Sequence, residues 1–266
     1  MAASKKQALG YTIEAEKAIR QRDSSRALSA IGRCKTEIGG LREPAPPAPE
    51  PPQPDGRVLF NGAKISDFPG KQAASGAITE VKDPLGSGKT VFKFTVHDRD
   101  VAPITPTENP RAQLETPTFV TPGLEFWFRS KLLIPEDFPK FTGWLTLFAV
   151  YGPPFAGSGP WHIAASERGT ELAWEEHERS FSIPLERGRW IDIMQHGLFS
   201  ENGWLEIYVD GALAMSKTPA ALRNRTNNGG NNNVRIAQYR QKGMFEVGTV
   251  YWDQLIAGTT RASVGG

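Results

Sequence analysis

One cysteine, Cys34, stands among 266 residues. No disulfide can form within the chain, so its fold must rest on apolar burial. Long apolar runs are missing too. The opening MAASKKQALGYTIEAEKAIR carries charge throughout, which predicts neither a signal peptide nor a membrane span. Synthesis in the cytoplasm is the expectation, with any route outward passing through assembly or lysis. Histidine is scarce, and His97, His162, His177 and His196 lie too far apart to show metal-ligand spacing. We expect no catalytic metal and no organic cofactor. Strong charge of one sign is absent, the formal net charge being +2, so nothing points to nucleic acid as a partner.

What is present divides the chain into three pieces. Residues 1–43 hold nine Lys/Arg against five Asp/Glu, a net of +4, and the remainder carries −2. In this basic piece Ala8, Tyr11, Ala15, Ala18 and Ile19 share one helical face, while Ala27, Ile31, Cys34, Ile38 and Leu41 step by four and three. Asp23 and Ser24 between them supply N-cap chemistry. The spacing predicts an αα-hairpin, similar to one tetratricopeptide unit. About 40 residues bury too little surface to be stable alone, so the hairpin is expected to anchor the chain to a larger protein assembly. Residues 44–56 form a linker with seven prolines in EPAPPAPEPPQP. Such a run favours polyproline II and would space its neighbours by roughly 34 Å at ~3.1 Å per residue.

Residues 57–266 read as β throughout. TVFKFTVHD (90–98), GLEFWFRSKLLI (123–134), WLTLFAVY (144–151), RWIDIMQHGLF (189–199), WLEIYVDG (204–211), VRIAQYR (234–240) and TVYWDQLIAG (249–258) alternate or run apolar between turn residues. Asp210-Gly211 is a hairpin signal. Ten or more strands without βαβ alternation predict a mainly β, antiparallel two-sheet jelly-roll sandwich. Jelly rolls also leave room for a structural calcium held by loop oxygens.

Three motifs invite chemistry and lose it on inspection. GSGKT (86–90) lacks the upstream glycine of a phosphate loop, Asp83 standing there, and runs into a strand, so it reads as a hairpin turn. WEEHE (174–178) offers two acids for glycoside hydrolysis but reads as an exposed charged loop. NRTNNGGNNN (224–233) reads as a polar loop whose glycosylation triplet means nothing without secretion.

The informative constellation joins three stretches. The first is Arg111-Ala112-Gln113-Leu114, the second FAVYGPPFAGSGPWHIA (148–164), and the third Arg235-Ile236-Ala237-Gln238-Tyr239. Here the chain resembles the concanavalin-like jelly-roll polysaccharide lyases, which include alginate, glucuronan and heparin lyases. GRWIDIMQHGLFSENGWLEIYVDG (188–211) is similar to a hairpin widespread in concanavalin-like domains. The resemblance implies a polysaccharide or cell-surface glycan as partner and a sheet lined by an Arg-x-Glu-Leu-like, a Gln-x-His-like and a Lys-x-Gly-x-Tyr-like strand. It assigns the carboxylate-neutralising and proton-abstracting positions of the middle strand to Ala149 and Tyr151.

β-Elimination of a uronate needs three roles: neutralising the carboxylate, removing the C5 proton and protonating the leaving O4. Ala149 cannot donate to a carboxylate, so the catalytic set is incomplete. The expected catalytic candidates are Tyr239, His162, Tyr151 and Arg111, with Tyr151 activated by a cation such as Arg111 and His162 standing in for the missing imidazole. Gln113, Trp161, Arg240 and His97 are the expected sugar contacts. The sequence reading is a carbohydrate-contacting module that binds and has lost the full catalytic set, displayed on an assembly such as a phage tail or capsid surface. An active lyase and an architectural virion module are the alternatives.

Overall fold

The computed structural model describes residues 56–100, 109–151, 161–165, 170–176, 178–200, 202–220 and 231–266. The expected αα-hairpin and the proline segment through residue 55 lie outside the described residues. So do His177, the Gly-Pro loop 152–160 and most of the Asn-rich loop.

Fifteen strands run through the described residues: β1 (Val58–Gly62), β2 (Gly70–Ala73), β3 (Ile78–Lys82), β4 (Thr90–His97), β5 (Arg111–Glu115), β6 (Glu125–Leu133), β7 (Leu145–Tyr151), β8 (Trp161–Ala165), β9 (Glu171–Glu176), β10 (Glu178–Pro184), β11 (Trp190–Leu198), β12 (Gly203–Val209), β13 (Ala212–Ala220), β14 (Asn233–Arg240) and β15 (Val247–Gly258). They form two sheets. One runs β13-β12-β11-β6-β15-β4-β3, with β1 added along the end of β15; the other runs β10-β9-β8-β7-β14-β5-β2. Every pairing is antiparallel. The chain is thus a mainly β sandwich, as its alternation predicts.

Two-residue periodicity sorts each strand between the core and the outside. In β4, Phe92, Phe94 and Val96 join the core, and Lys93, Thr95 and His97 take the other face. Facing them from the second sheet are Ala112 and Leu114 of β5, Trp161 and Ile163 of β8, and Val234 and Ile236 of β14. Phe126, Phe128 and Trp161 stack across the two sheets, with centroids 4.4 to 6.2 Å apart. β12 and β13 meet at the anticipated Asp210-Gly211 turn, where both residues have positive φ (51° and 83°), the signature of a type I′ hairpin. The GSGKT segment closes as a turn through an Asp83 N–H bond to the Lys89 carbonyl at 2.9 Å.

WEEHE is not an exposed loop. Trp174, Glu175 and Glu176 belong to β9 and Glu178 to its partner β10, and Trp174 is buried between the sheets. The adjacent acids hid an edge hairpin whose apolar members, Leu172 and Trp174, alternate like any other strand.

Two polar residues of β14 point into the sandwich. Arg240 is completely buried; its Nη1 donates to Asp98 Oδ1 at 2.9 Å, and its guanidinium lies 4.1 Å from the Phe245 ring centroid. Gln238 is also fully buried, and neither end of its amide has a hydrogen-bond partner among the described residues. An unsatisfied buried amide loses its hydration with no return. Gln238→Met keeps the length and removes the polar atoms, and should raise stability by about 1–3 kcal/mol in chemical denaturation.

Asp98 behaves oppositely. The Gly243 N–H, foremost, and then Arg240 hold its carboxyl below the usual carboxylate range against the opposing pull of burial. A lowered folded value means stability that is complete above the unfolded value of ~3.9 and lost as pH falls through the folded one. Asp98→Asn should lower stability at neutral pH by about 2 kcal/mol, less than for a fully buried pair because Asp98 keeps some solvent contact. Urea titrations at neutral and acid pH should show the deficit shrinking as the wild-type carboxyl protonates.

Candidate functional site

The outer face of the second sheet gathers most of the polar groups singled out in the sequence. Ladder registers arrange them in two rows. One row runs Glu115, Arg235, Ala149, His162 and Glu175 across β5, β14, β7, β8 and β9. The other runs Arg111, Tyr239, Thr146, Ala164 and Ala173 across the same strands. Four residue steps along β14 separate the rows there, about 13 Å at ~3.3 Å per residue. In β7 the pairing shifts between Thr146 and Phe148, and Leu147 and Phe148 both join the core. This bulge adds one residue to the strand, which returns Ala149 and Tyr151 to the outer face.

Each row is built around an arginine and a tyrosine. The Arg111 guanidinium lies 4.2 Å from the Tyr239 ring centroid, and Trp144 meets the same ring edge-on at 4.8 Å. Arg111 Nη1 donates to Gln72 Oε1 on β2 at 3.3 Å. On the Arg235 row the guanidinium covers the ring of Tyr151, two residues along β7 from the row's Ala149, at 4.4 Å. The Arg235 Nε donates to Asn233 Oδ1 at 3.2 Å, its Nη1 approaches Gln113 Oε1 at 3.5 Å, and its Nη2 lies 3.4 Å from Glu115 Oε1. Burial pulls Arg235 below the usual guanidinium range, with a smaller contribution from the like charge of Arg111, while Glu115 and Tyr151 oppose that pull. His162 pairs through Nε2 with Glu175 Oε2 at 2.8 Å.

Five expected site residues therefore share this face: Arg111, Gln113, Tyr151, His162 and Tyr239. The cation over Tyr151 is Arg235, not Arg111 as expected. Three other expectations are corrected. Trp161 is fully buried in the core, its indole N–H donating to Gln195 Oε1 at 3.0 Å. Arg240 also points inward, toward Asp98. His97 lies on β4 of the other sheet, on the face away from the core. Trp161 and Arg240 each directly follow or precede a true face residue, His162 and Tyr239, and neighbours in a strand point to opposite sides.

The sequence reading passed over Arg235, Glu115, Gln72, Trp144 and Glu175. Two were legible. Arg235 lies four residues from Tyr239, and Glu115 lies two from Gln113 and four from Arg111, each in phase with an expected site residue. Gln72, on a four-residue strand, and Glu175, inside an apparent charge run, gave no such signal. No cluster of three or more His, Cys, Asp or Glu side chains suited to a metal occurs among the described residues. The face is equipped to bind anions and stack rings with protein groups: guanidinium, amide, phenol and indole.

No helix among the described residues is long and apolar enough to cross a membrane. No curated protein matches the chain in sequence. Among solved structures, the endo-β-1,4-glucuronan lyase from the fungus Trichoderma reesei superposes with a TM-score of 0.63 at 16% identity, over 78% of this chain and 98% of that one. At this identity the likeness establishes the sandwich fold. A GH131 β-glucanase catalytic domain from Podospora anserina reaches 0.49 at 14% identity, covering 79% of this chain and 88% of its own. An alginate lyase, Aly36B, solved with an alginate trisaccharide, reaches 0.49 at 11%, covering 74% and 90%. The profile described as "Polysaccharide lyase" matches residues 60–256, most of the 266-residue chain, and on that match the chain belongs to the polysaccharide lyase family.

Proposed function

We propose that the outer face of the second sheet binds an acidic polysaccharide and cleaves it by β-elimination at the Arg111–Tyr239 row. The observation that carries this reading is the 4.2 Å stack of Arg111 on Tyr239, on strands that pair those two residues directly. A uronate carboxylate is planar and accepts paired hydrogen bonds, which a guanidinium supplies in matching geometry. Neutralising that carboxylate stabilises the charge that develops when C5 loses its proton. The released electron pair forms the C4–C5 double bond as the C4–O4 bond breaks, and O4 takes up a proton. Tyr239 is the acid–base group of this row: as phenolate, with the Arg111 cation against its ring, it takes the C5 proton, and as phenol it returns that proton to O4. Gln113 supplies an amide between the rows, and Trp144 supplies an apolar edge for a ring.

This route asks nothing of Ala149. It also leaves His162, which belongs to the other row, as a contact tied to Glu175. A second reading, sugar binding without cleavage, draws support from Ala149 itself, since the resemblance puts a carboxylate donor there and alanine has none. The two readings differ in product. Incubation with uronate polymers should raise the ultraviolet absorbance of an unsaturated sugar end, and Tyr239→Phe should slow that rise by about 100-fold or more while retaining polymer binding. A flat trace on every uronate polymer, with binding lost in Arg111→Ala, would overturn the cleavage step and leave the second reading standing. Retained full activity in Tyr239→Phe would remove Tyr239 from the chemistry.

A further inference from the structure

The two rows differ in charge in a way that the proposed function does not use. At each an arginine stacks on a tyrosine, Tyr239 within the Arg111 row and Tyr151 beside the Arg235 row. The Arg111 row continues through Thr146, Ala164 and Ala173, hydroxyl and methyl groups, whereas the Arg235 row contains two acids, Glu115 and Glu175. Glu115 is the better fixed. It accepts from Gln72 Nε2 at 2.5 Å and from Asn233 Nδ2 at 3.3 Å, besides its 3.4 Å approach to Arg235. Its stem lies against Gly70, where an added Cβ would come within 2.8 Å of the Glu115 Cβ. Any larger residue there would displace the acid. Both side chains of the Glu115–Arg235 pair are only 14% exposed, so their attraction is weakly screened.

Resting on the reading above, we propose that Glu115 sets the charge spacing of the polymer this face accepts: one uronate at the Arg111 row, with an uncharged sugar beside it at the Arg235 row. A carboxylate arriving over Arg235 would find that guanidinium already neutralised and a fixed like charge next to it, an arrangement that selects against the wrong partner. Hydroxyl-bearing sugars meet no such opposition, because the Tyr151 ring and the Asn233 amide serve them without requiring charge. Gln72 links the rows, accepting from Arg111 and donating to Glu115, so its amide dipole is aligned by both charges.

The test compares two polymers at fixed ionic strength, a homopolymer of glucuronate and one alternating glucuronate with an uncharged sugar, with affinity read by calorimetry. The wild type should favour the alternating polymer. Glu115→Gln keeps the shape and an acceptor for Gln72, and should tighten binding of the homopolymer by about fivefold to tenfold while leaving the alternating polymer nearly unchanged. Adding Arg235→Gln to that variant should abolish the gain. Equal or tighter wild-type binding of the homopolymer overturns the proposal and spares the acidic-polysaccharide reading. No gain in a folded Glu115→Gln protein, judged by its melting curve, also overturns it. If the variant fails to fold, the wild-type comparison decides alone. Wild-type failure to bind either polymer removes both readings together.

Discussion

β14 carries two arginines an odd number of residues apart, and a pleated strand must send them to opposite sides. Neither can shed its charge at any ordinary pH, so the structure has to answer each with oxygen where it lands. On the core side Arg240 is met by Asp98, which also takes the Gly243 N–H. On the outer side Arg235 is met by Glu115, Asn233 and Gln113. The alternation of this one central strand therefore fixes which acid belongs to the scaffold and which to the site. Strands β5 and β7 flank it in the sheet and inherit their register from it.

The core side of that division is costly and the outer side is adaptable. The Arg240–Asp98 pair gains little net stability, because the arginine gives up its water entirely, and the orphaned amide of Gln238 adds a further loss. The surrounding apolar layer carries the fold, with three stacked rings spanning the sheets. The outer face works under other rules. Its arginines lie over phenol rings and donate to amides and carboxylates, and such a rigid fork selects planar anions.

Much of this was legible in the residues. The sandwich follows from alternating strands and turn chemistry, and Asp210-Gly211 forms the hairpin its residue types demand. Arg111, Gln113 and Tyr239 reach one face because they sit in phase on strands that pair. The misreadings have one physical origin. Trp161 and Arg240 adjoin residues of the outer face, and adjacent strand residues cannot share a face. β9 and β10 hide for a different reason: charged side chains at an edge hairpin resemble a solvated loop, and only the alternation of the buried Leu172 and Trp174 marks the strand. Gln72 and Glu175 owe their places to register between strands distant in sequence, which composition does not encode.

The bulge in β7 has an evolutionary corollary. Because Leu147 and Phe148 both turn inward, the strand holds one residue more than strict alternation allows. Loss of either codon would close the bulge and restore strict alternation, leaving Ala149 and Tyr151 on the outer face. Loss of Ala149 or Val150 instead would turn Tyr151 inward, because no spare residue lies beyond the bulge. The doublet is therefore a place where this strand can shorten by one residue and keep its facing.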